Sequence, residues 1–243
     1  MFKTLIKFIL DLFFPKKCLS CGKDGVYICK NCLDKIEIAQ NNKCPFCDRP
    51  IPNSLICQNC QKFHHLNRLF WAVPYYNPLI KELIRIFKYH YVRELAKPLS
   101  KLLIKSLGTI STISTNSTIV IPIPLHKRKL RERGFNQAEL LAKEIAEYFS
   151  APMENNVLKR TRFATPQAKI KNYKIRRENI KDIFEISPEF IKKCVSENQN
   201  LLKDKIIILV DDVSTTGATL SEAAKVLKRG GAKEVWGLVI AKG

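Results

Sequence analysis

Eight cysteines set as four CxxC pairs within about 43 residues restrict this chain more than any other feature: Cys18/Cys21, Cys29/Cys32, Cys44/Cys47 and Cys57/Cys60. A CxxC turn aims two thiols at one point, and its backbone amides stabilise the thiolates. Two such turns complete a tetrahedral four-thiolate shell for Zn²⁺. So regular an array is a poor disulfide framework, because cysteines bridged across two residues are mostly redox-active. Four thiolates leave no open coordination position, so each site is structural rather than catalytic, and about two Zn²⁺ per chain are expected. Sequential pairing is favoured, with 18/21/29/32 in one site and 44/47/57/60 in the other; a crossed pairing stays open. Gly22 suits the tight turn after Cys21. His64 and His65 lie just past the last pair and read as bystanders, and the isolated Cys194 reads as an ordinary thiol.

A metal-held module of this kind has little core of its own. The chain has 243 residues, enough for one ordinary domain besides it, and the predicted division is 1–66 and 67–243. At 46% hydrophobic and 26% charged the composition is globular. The formal charge is +20. Two Zn²⁺–thiolate sites would lower it to about +16, still strongly basic. That excess points to an anionic partner (a polyphosphate, nucleic acid or acidic lipid), or else to a lysine-rich proteome. The start, MFKTLIKFILDLFFPKKC, has the basic opening and apolar run of a leader. Lys7 and Asp11 interrupt the run, however, and no small-residue cleavage site follows. Phe2, Leu5, Ile6, Ile9, Leu12 and Phe13 fit one helix face, to be docked on the protein itself or, alternatively, on a membrane surface. No run reaches the ~18 apolar residues of a membrane span.

Further along, residues 78–107 carry helical periodicity, with a break expected near Tyr89–Tyr91 and a boundary at Pro98. STISTNST is a polar linker, and 118–124 reads as a buried strand. Residues 136–149 form an amphipathic helix with Asn136 as N-cap, and 161–181 a long basic loop or hairpin. KIIILV (205–210) and 234–241 read as strands, separated by a helix over 219–229 that Gly230-Gly231 ends. Strands alternating with helices predict an α/β fold with a parallel sheet.

The stretch IILVDDVSTTGATL (207–220) is the chemically richest. Its apolar strand brings Asp211 and Asp212 to the carboxyl edge of the sheet, where ligands of α/β proteins bind. Paired carboxylates can accept hydrogen bonds from vicinal ribose hydroxyls, or reach them through Mg²⁺ and water. Ser214, Thr215, Thr216, Gly217, Ala218 and Thr219 then supply amides and hydroxyls to wrap a phosphate at a helix N-terminus, with Gly217 permitting close approach. No GK[ST] follows, which excludes a Walker-type loop. A second basic group, His126, Lys127, Arg128, Lys129, Arg131 and Arg133, follows a strand and precedes a helix, and so lies on the ligand side of the sheet. It could meet a pyrophosphate or an external polyanion, or be a solvated loop.

Residues 207–220 resemble the PRPP (phosphoribosyl pyrophosphate) motif of the type I phosphoribosyltransferases nearly position for position. The resemblance implies that Asp211 and Asp212 hold the ribose hydroxyls and that Thr215–Thr219 cradle the 5′-phosphate, with Mg²⁺ accompanying PRPP. In the 6-oxopurine enzymes of that superfamily an aspartate stands where Thr215 stands, so a hypoxanthine–guanine reaction is disfavoured. The proline-bracketed strand at 121–124, RGFNQ (133–137), and the spaced Arg160, Thr165, Gln167, Arg177, Asn179 and Phe184 extend the likeness. With the CxxC pairs and Lys88, they make the chain similar to the ComF family of competence-associated proteins over almost its whole length. KIKNYKIRR is more basic than that pattern suggests. The likeness implies a type I phosphoribosyltransferase fold carrying an N-terminal double zinc ribbon. Lys88, His126, Lys127, Arg128, Arg131, Arg133, Asn136, Gln137, Gln167 and Arg177 become candidates for pyrophosphate or DNA contacts. It also implies a cytoplasmic protein, with peripheral membrane contact as the alternative. Its expected partners are PRPP, single-stranded DNA and other competence proteins such as a DNA-uptake helicase. Three roles follow: a PRPP-binding accessory of DNA uptake, a phosphoribosyltransferase with a nitrogenous acceptor, or a regulator that senses PRPP. The sequence offers no general base.

Overall fold

The computed structural model describes residues 16–40, 42–108, 117–162 and 180–243. The helix expected near the N-terminus, and Gln167 and Arg177, lie outside them. The centre is a four-stranded sheet of β1 (Arg68–Pro74), β2 (Thr118–Pro122), β5 (Ile206–Ser214) and β6 (Glu234–Lys242). Their order is β1-β6-β5-β2, and every pair is parallel. The strands read as unbroken apolar runs because both faces are covered, as an all-parallel sheet requires. Along each strand alternate side chains enter opposite cores. Phe70, Ala72, Ile208 and Val210 face one layer, and Leu69, Trp71, Ile207 and Leu209 the other.

The first layer holds α3 (Pro78–Tyr89), α4 (Ala96–Ser106) and α6 (Gln137–Phe149). Asn77 caps α3 by accepting from the Ile80 amide at 3.1 Å, and Pro78 occupies its first turn. The helical segment does break after Tyr89, and a 3₁₀ turn at Arg93–Leu95 leads into α4, with Pro98 in the first turn of α4. Asn136 caps α6, accepting from the Ala138 amide at 3.2 Å. The second layer holds α8 (Ala218–Arg229), α7 (Pro188–Ser196), and the antiparallel pair β3 (Leu158–Arg160) and β4 (Phe184–Ile186). The basic group expected in a loop is instead a short helix, α5 (Lys127–Arg133). His126 caps it and Gly134 ends it in the left-handed conformation.

The two cysteine groups straddle the edge of the sheet. Cys18, Cys29, Leu33 and Ile36 join the first core, whereas Cys44, Ile56 and Cys57 join the second. The chain between them crosses outer strand β1. The Ala39 amide donates to the Ala72 carbonyl (2.8 Å), Ile56 to Asn67 (3.1 Å) and Leu69 to Ser54 (3.0 Å). The open edge of the sheet is thereby hydrogen-bonded and covered. No helix among the described residues is long and apolar enough to cross a membrane.

Candidate functional site: two four-cysteine clusters and a basic cleft

The thiols assemble sequentially, Cys18/Cys21/Cys29/Cys32 and Cys44/Cys47/Cys57/Cys60, with the sulfurs of each group within 4.8 Å of one another. The two are built alike. Cys18 and Cys44 donate their amides five residues on, to Lys23 and Arg49, both at 2.8 Å. Gly22 and Asp48, each just after the second cysteine of its pair, share positive φ. The second pair of each group opens a short helix, α1 (Lys30–Asp34) after Cys29 and α2 (Gln58–Gln61) after Cys57. Helix-terminal amides favour the thiolate. The Cys60 amide, outweighing burial, brings the Cys57 thiol down to about 7. Burial opposes ionisation of Cys18, but the amides of Cys21, Cys29 and Ser20 overcome it and lower that thiol to about 6. The Cys21–Cys29 and Cys47–Cys57 sulfurs lie 3.7 and 3.5 Å apart. Thiolates at Zn–S ≈ 2.3 Å in a tetrahedron are about 3.8 Å apart, so both groups fit one structural Zn²⁺ each.

At the carboxyl end of the sheet lies a cleft of about 880 Å³. β2 ends at Pro122, opposite Val210, and β5 runs four residues further to Ser214. That overhang places Asp211 and Asp212 on the cleft floor. β5 is therefore longer than the apolar run ending at 210 suggests, because its last residues still pair with β6 (Asp211 with Val239, Ser214 with Lys242). The loop after it turns at Gly217 (φ +73°), which caps α8, and Gly217, Ala218, Thr219 and Leu220 line the cleft together with the two carboxylates. The Thr216 hydroxyl accepts from the Ala218 amide at 3.4 Å and does not line the cleft.

Cations ring the carboxylates. Lys88, in the last turn of α3, holds Asp212 at 2.8 Å, and both side chains are largely buried. Lys129 and Arg133, four residues apart on α5, and Arg160 at the end of β3 also line the cleft. Burial, then Arg160, Arg133 and Lys88, push the Lys129 ammonium below its usual range. The buried Arg160 Nε has no hydrogen-bond partner among the described residues. The Asp211 carboxyl accepts from the Asp212 amide at 2.8 Å. Its depth in the cleft and the adjacent Asp212 charge nevertheless push it up to about 7. This concentration of partly desolvated cations beside a helix N-terminus suits a polyanion, and the carboxylates suit hydroxyls or a hydrated divalent cation.

The remaining predicted residues divide. Arg128, Asn136, Gln137, Ser214, Thr215, Ala218 and Thr219 line the cleft; His126, Lys127 and Arg131 do not. Asn136 and Gln137 also have structural work. The Asn136 Nδ2 donates to the Ile123 carbonyl (3.0 Å) and the Gln137 Nε2 to that of Phe87 (3.2 Å), while the Gln137 Oε1 accepts from Arg133 (3.0 Å). Lys129, one of the basic group, and Arg160, one of the spaced residues of the family pattern, also line the cleft, although neither is among the contact candidates singled out from the sequence. On α5, the i, i+4 spacing of Lys129 and Arg133 is the available signal.

A four-stranded parallel sheet with two aspartates and a glycine turn at its carboxyl edge, joined to twin four-cysteine clusters, defines a zinc-ribbon protein of phosphoribosyltransferase fold. Residues 9–61 match the double zinc ribbon domain, and residues 136–242 match the phosphoribosyl transferase domain. Competence protein F of Haemophilus influenzae is 28% identical over 228 residues, covering 86% of this chain and 95% of the relative. DNA utilization protein YhgH of Escherichia coli O157:H7 is 30% identical over 215 residues (86% and 88%). Competence protein ComFC of Bacillus subtilis is 29% identical over 217 residues (86% and 81%). The chain belongs to the ComF family.

Proposed function

We propose that the cleft binds PRPP with Mg²⁺ and that the protein serves the uptake or use of incoming single-stranded DNA; among its relatives are proteins named for competence and for DNA utilization. The observation that carries this reading is the convergence, in one cleft, of Asp211, Asp212, the turn into α8 and the cations Lys88, Lys129, Arg133 and Arg160. The turn would take the 5′-phosphate and the aspartates the ribose hydroxyls, leaving the cations for the pyrophosphate. Asp211 and Asp212 would also hold Mg²⁺, directly or through water, and the ion would supply charge neutralisation. Titration calorimetry with PRPP should show binding that requires Mg²⁺ and disappears in Asp211→Ala/Asp212→Ala. Equal affinity in the two proteins would sink the reading.

The cleft also extends away from the motif along α3, past Tyr75, Pro78, Ile84 and Tyr89. That extra room favours a second reading, a transferase with a nitrogenous acceptor. The bond from C1′ to the pyrophosphate oxygen would break with its electron pair leaving on pyrophosphate. A C1′–N bond would form from the acceptor's lone pair, and the acceptor would lose a proton to solvent. Pyrophosphate release from PRPP, assayed against nucleobases and single-stranded DNA, tests turnover.

A further inference from the structure

Gly217 does not face open space on its Cβ side. A Cβ there would lie 2.5 and 2.7 Å from Cε1 and Cζ of Phe46, and 3.8 Å from His64 Nδ1. Phe46 is the residue before Cys47 in the first turn of the second cysteine cluster. Its ring stacks on the His64 ring, with centroids 3.5 Å apart and planes within 1°. His64 in turn follows the second turn of the same cluster, its amide donating to the Cys60 carbonyl at 2.9 Å. The next amide, His65, donates to Ser221 Oγ in the first turns of α8 at 3.2 Å. Both turns of one four-cysteine cluster thus converge on the residue that opens α8.

From this geometry we infer that Phe46 is a positioning residue for the phosphate turn, and that the second four-cysteine cluster, through the Phe46–His64 stack, couples its metal to ligand binding in the cleft. The coupling to ligand rests on the PRPP reading; the clamp itself does not. A metal bonded to Cys44, Cys47, Cys57 and Cys60 fixes the distance between the two turns and hence the stack. The stack forms the back wall of a glycine in the left-handed conformation. Order imposed at one site and required at the other makes the two bindings reciprocal. The cysteines of the first cluster pack in the opposite core.

The test uses the full, zinc-loaded chain and hydrogen–deuterium exchange, which needs no ligand. In Phe46→Ala, peptides covering 214–221 should exchange about tenfold faster at unchanged metal content, and PRPP affinity should drop by a similar factor, as losing one packed aromatic contact allows. Phe46→Leu keeps the apolar bulk and serves if the alanine variant sheds its metal; it should give a smaller change in the same direction. Unchanged exchange of 214–221 in a zinc-loaded Phe46 variant overturns the clamp, whatever the PRPP result. If wild type binds no PRPP while the exchange effect is present, the PRPP reading fails and the clamp stands. If exchange rises but PRPP affinity holds, the coupling to ligand is overturned.

Discussion

Lys88 Nζ meets Asp212 Oδ1 at 2.8 Å across the cleft floor, so the second motif carboxylate is already ion-paired without ligand. Removing one member of a largely buried pair leaves the other uncompensated. Lys88→Ala should therefore lower the stability of the ligand-free protein by on the order of 2 kcal/mol. Lys88→Ala/Asp212→Ala should recover part of that loss. Thermal unfolding of the wild type, Lys88→Ala, Asp212→Ala and the double variant measures the coupling, and additive effects would mean that the contact contributes nothing.

Asp211 gives a pH signature. Its carboxyl is pushed up to about 7, by burial first and by the Asp212 charge second. In the unfolded chain it titrates near 3.9, so from about pH 4 to 7 the native state holds a proton that the unfolded state has released. Native stability from this group is full below pH 4 and is lost as pH rises through 7. Asp211→Asn mimics the protonated form. It should stabilise the ligand-free protein by on the order of 2 kcal/mol at pH 8 and scarcely at pH 4, while weakening PRPP binding. Denaturant melts at the two pH values decide it; a gain independent of pH would point to packing instead.

How far such features can be read ahead depends on how local their causes are. The cysteine spacing and the apolar run into Asp211–Asp212 carry the twin clusters and the core of the sheet, because each cause lies within a few residues of its effect. Strand β1 is less legible. RLFWAVP is a short apolar run with no alternation, placed just past a metal module, and only its pairing with β6 identifies it. RGFNQ reads as a ligand loop, yet much of it is a joint between two helices. Gly134 caps α5, and Phe135 is buried against Phe87, with ring centroids 5.8 Å apart. Gly217 reads as room for phosphate, but its Cβ side is filled by Phe46. A contact between residues so distant in sequence leaves no local trace.

Helix α5 has two chemically distinct faces, which allows the polyanion partners to be separated. Lys129 and Arg133 turn into the cleft, whereas Lys127 and Arg131 are exposed outside it. Lys129→Ala/Arg133→Ala should cost PRPP about tenfold or more in affinity, since each is a charge-assisted contact. Lys127→Ala/Arg131→Ala should leave PRPP binding unaltered. If this outer face meets single-stranded DNA, the same pair should weaken DNA binding and lower the salt slope by about 1.4, at roughly 0.7 per phosphate contact. Fluorescence anisotropy across a salt series reads both quantities. An unchanged slope removes α5 from the DNA surface.

Metal removal should act unequally on the two sides of the sheet. Metal analysis should return about two Zn²⁺ per chain, and Cys18→Ser or Cys44→Ser should each lose about one. Cys18 lies in the core with α3, α4 and α6, while Cys44 lies in the core with α8 and β5 residues Ile207 and Leu209. Loss at Cys44 should then speed hydrogen exchange in α8 and in the turn before it. Loss at Cys18 should instead loosen the contacts of Leu33 and Ile36 with the layer of α3, α4 and α6 and leave that turn protected. Both variants should melt below wild type, because each cluster is part of a core rather than an appendage. The informative quantity is therefore the pattern of exchange, not the drop in melting temperature. Equal loosening of the 214–221 peptides in both variants would mean that the clusters act through the whole fold rather than each through its own face.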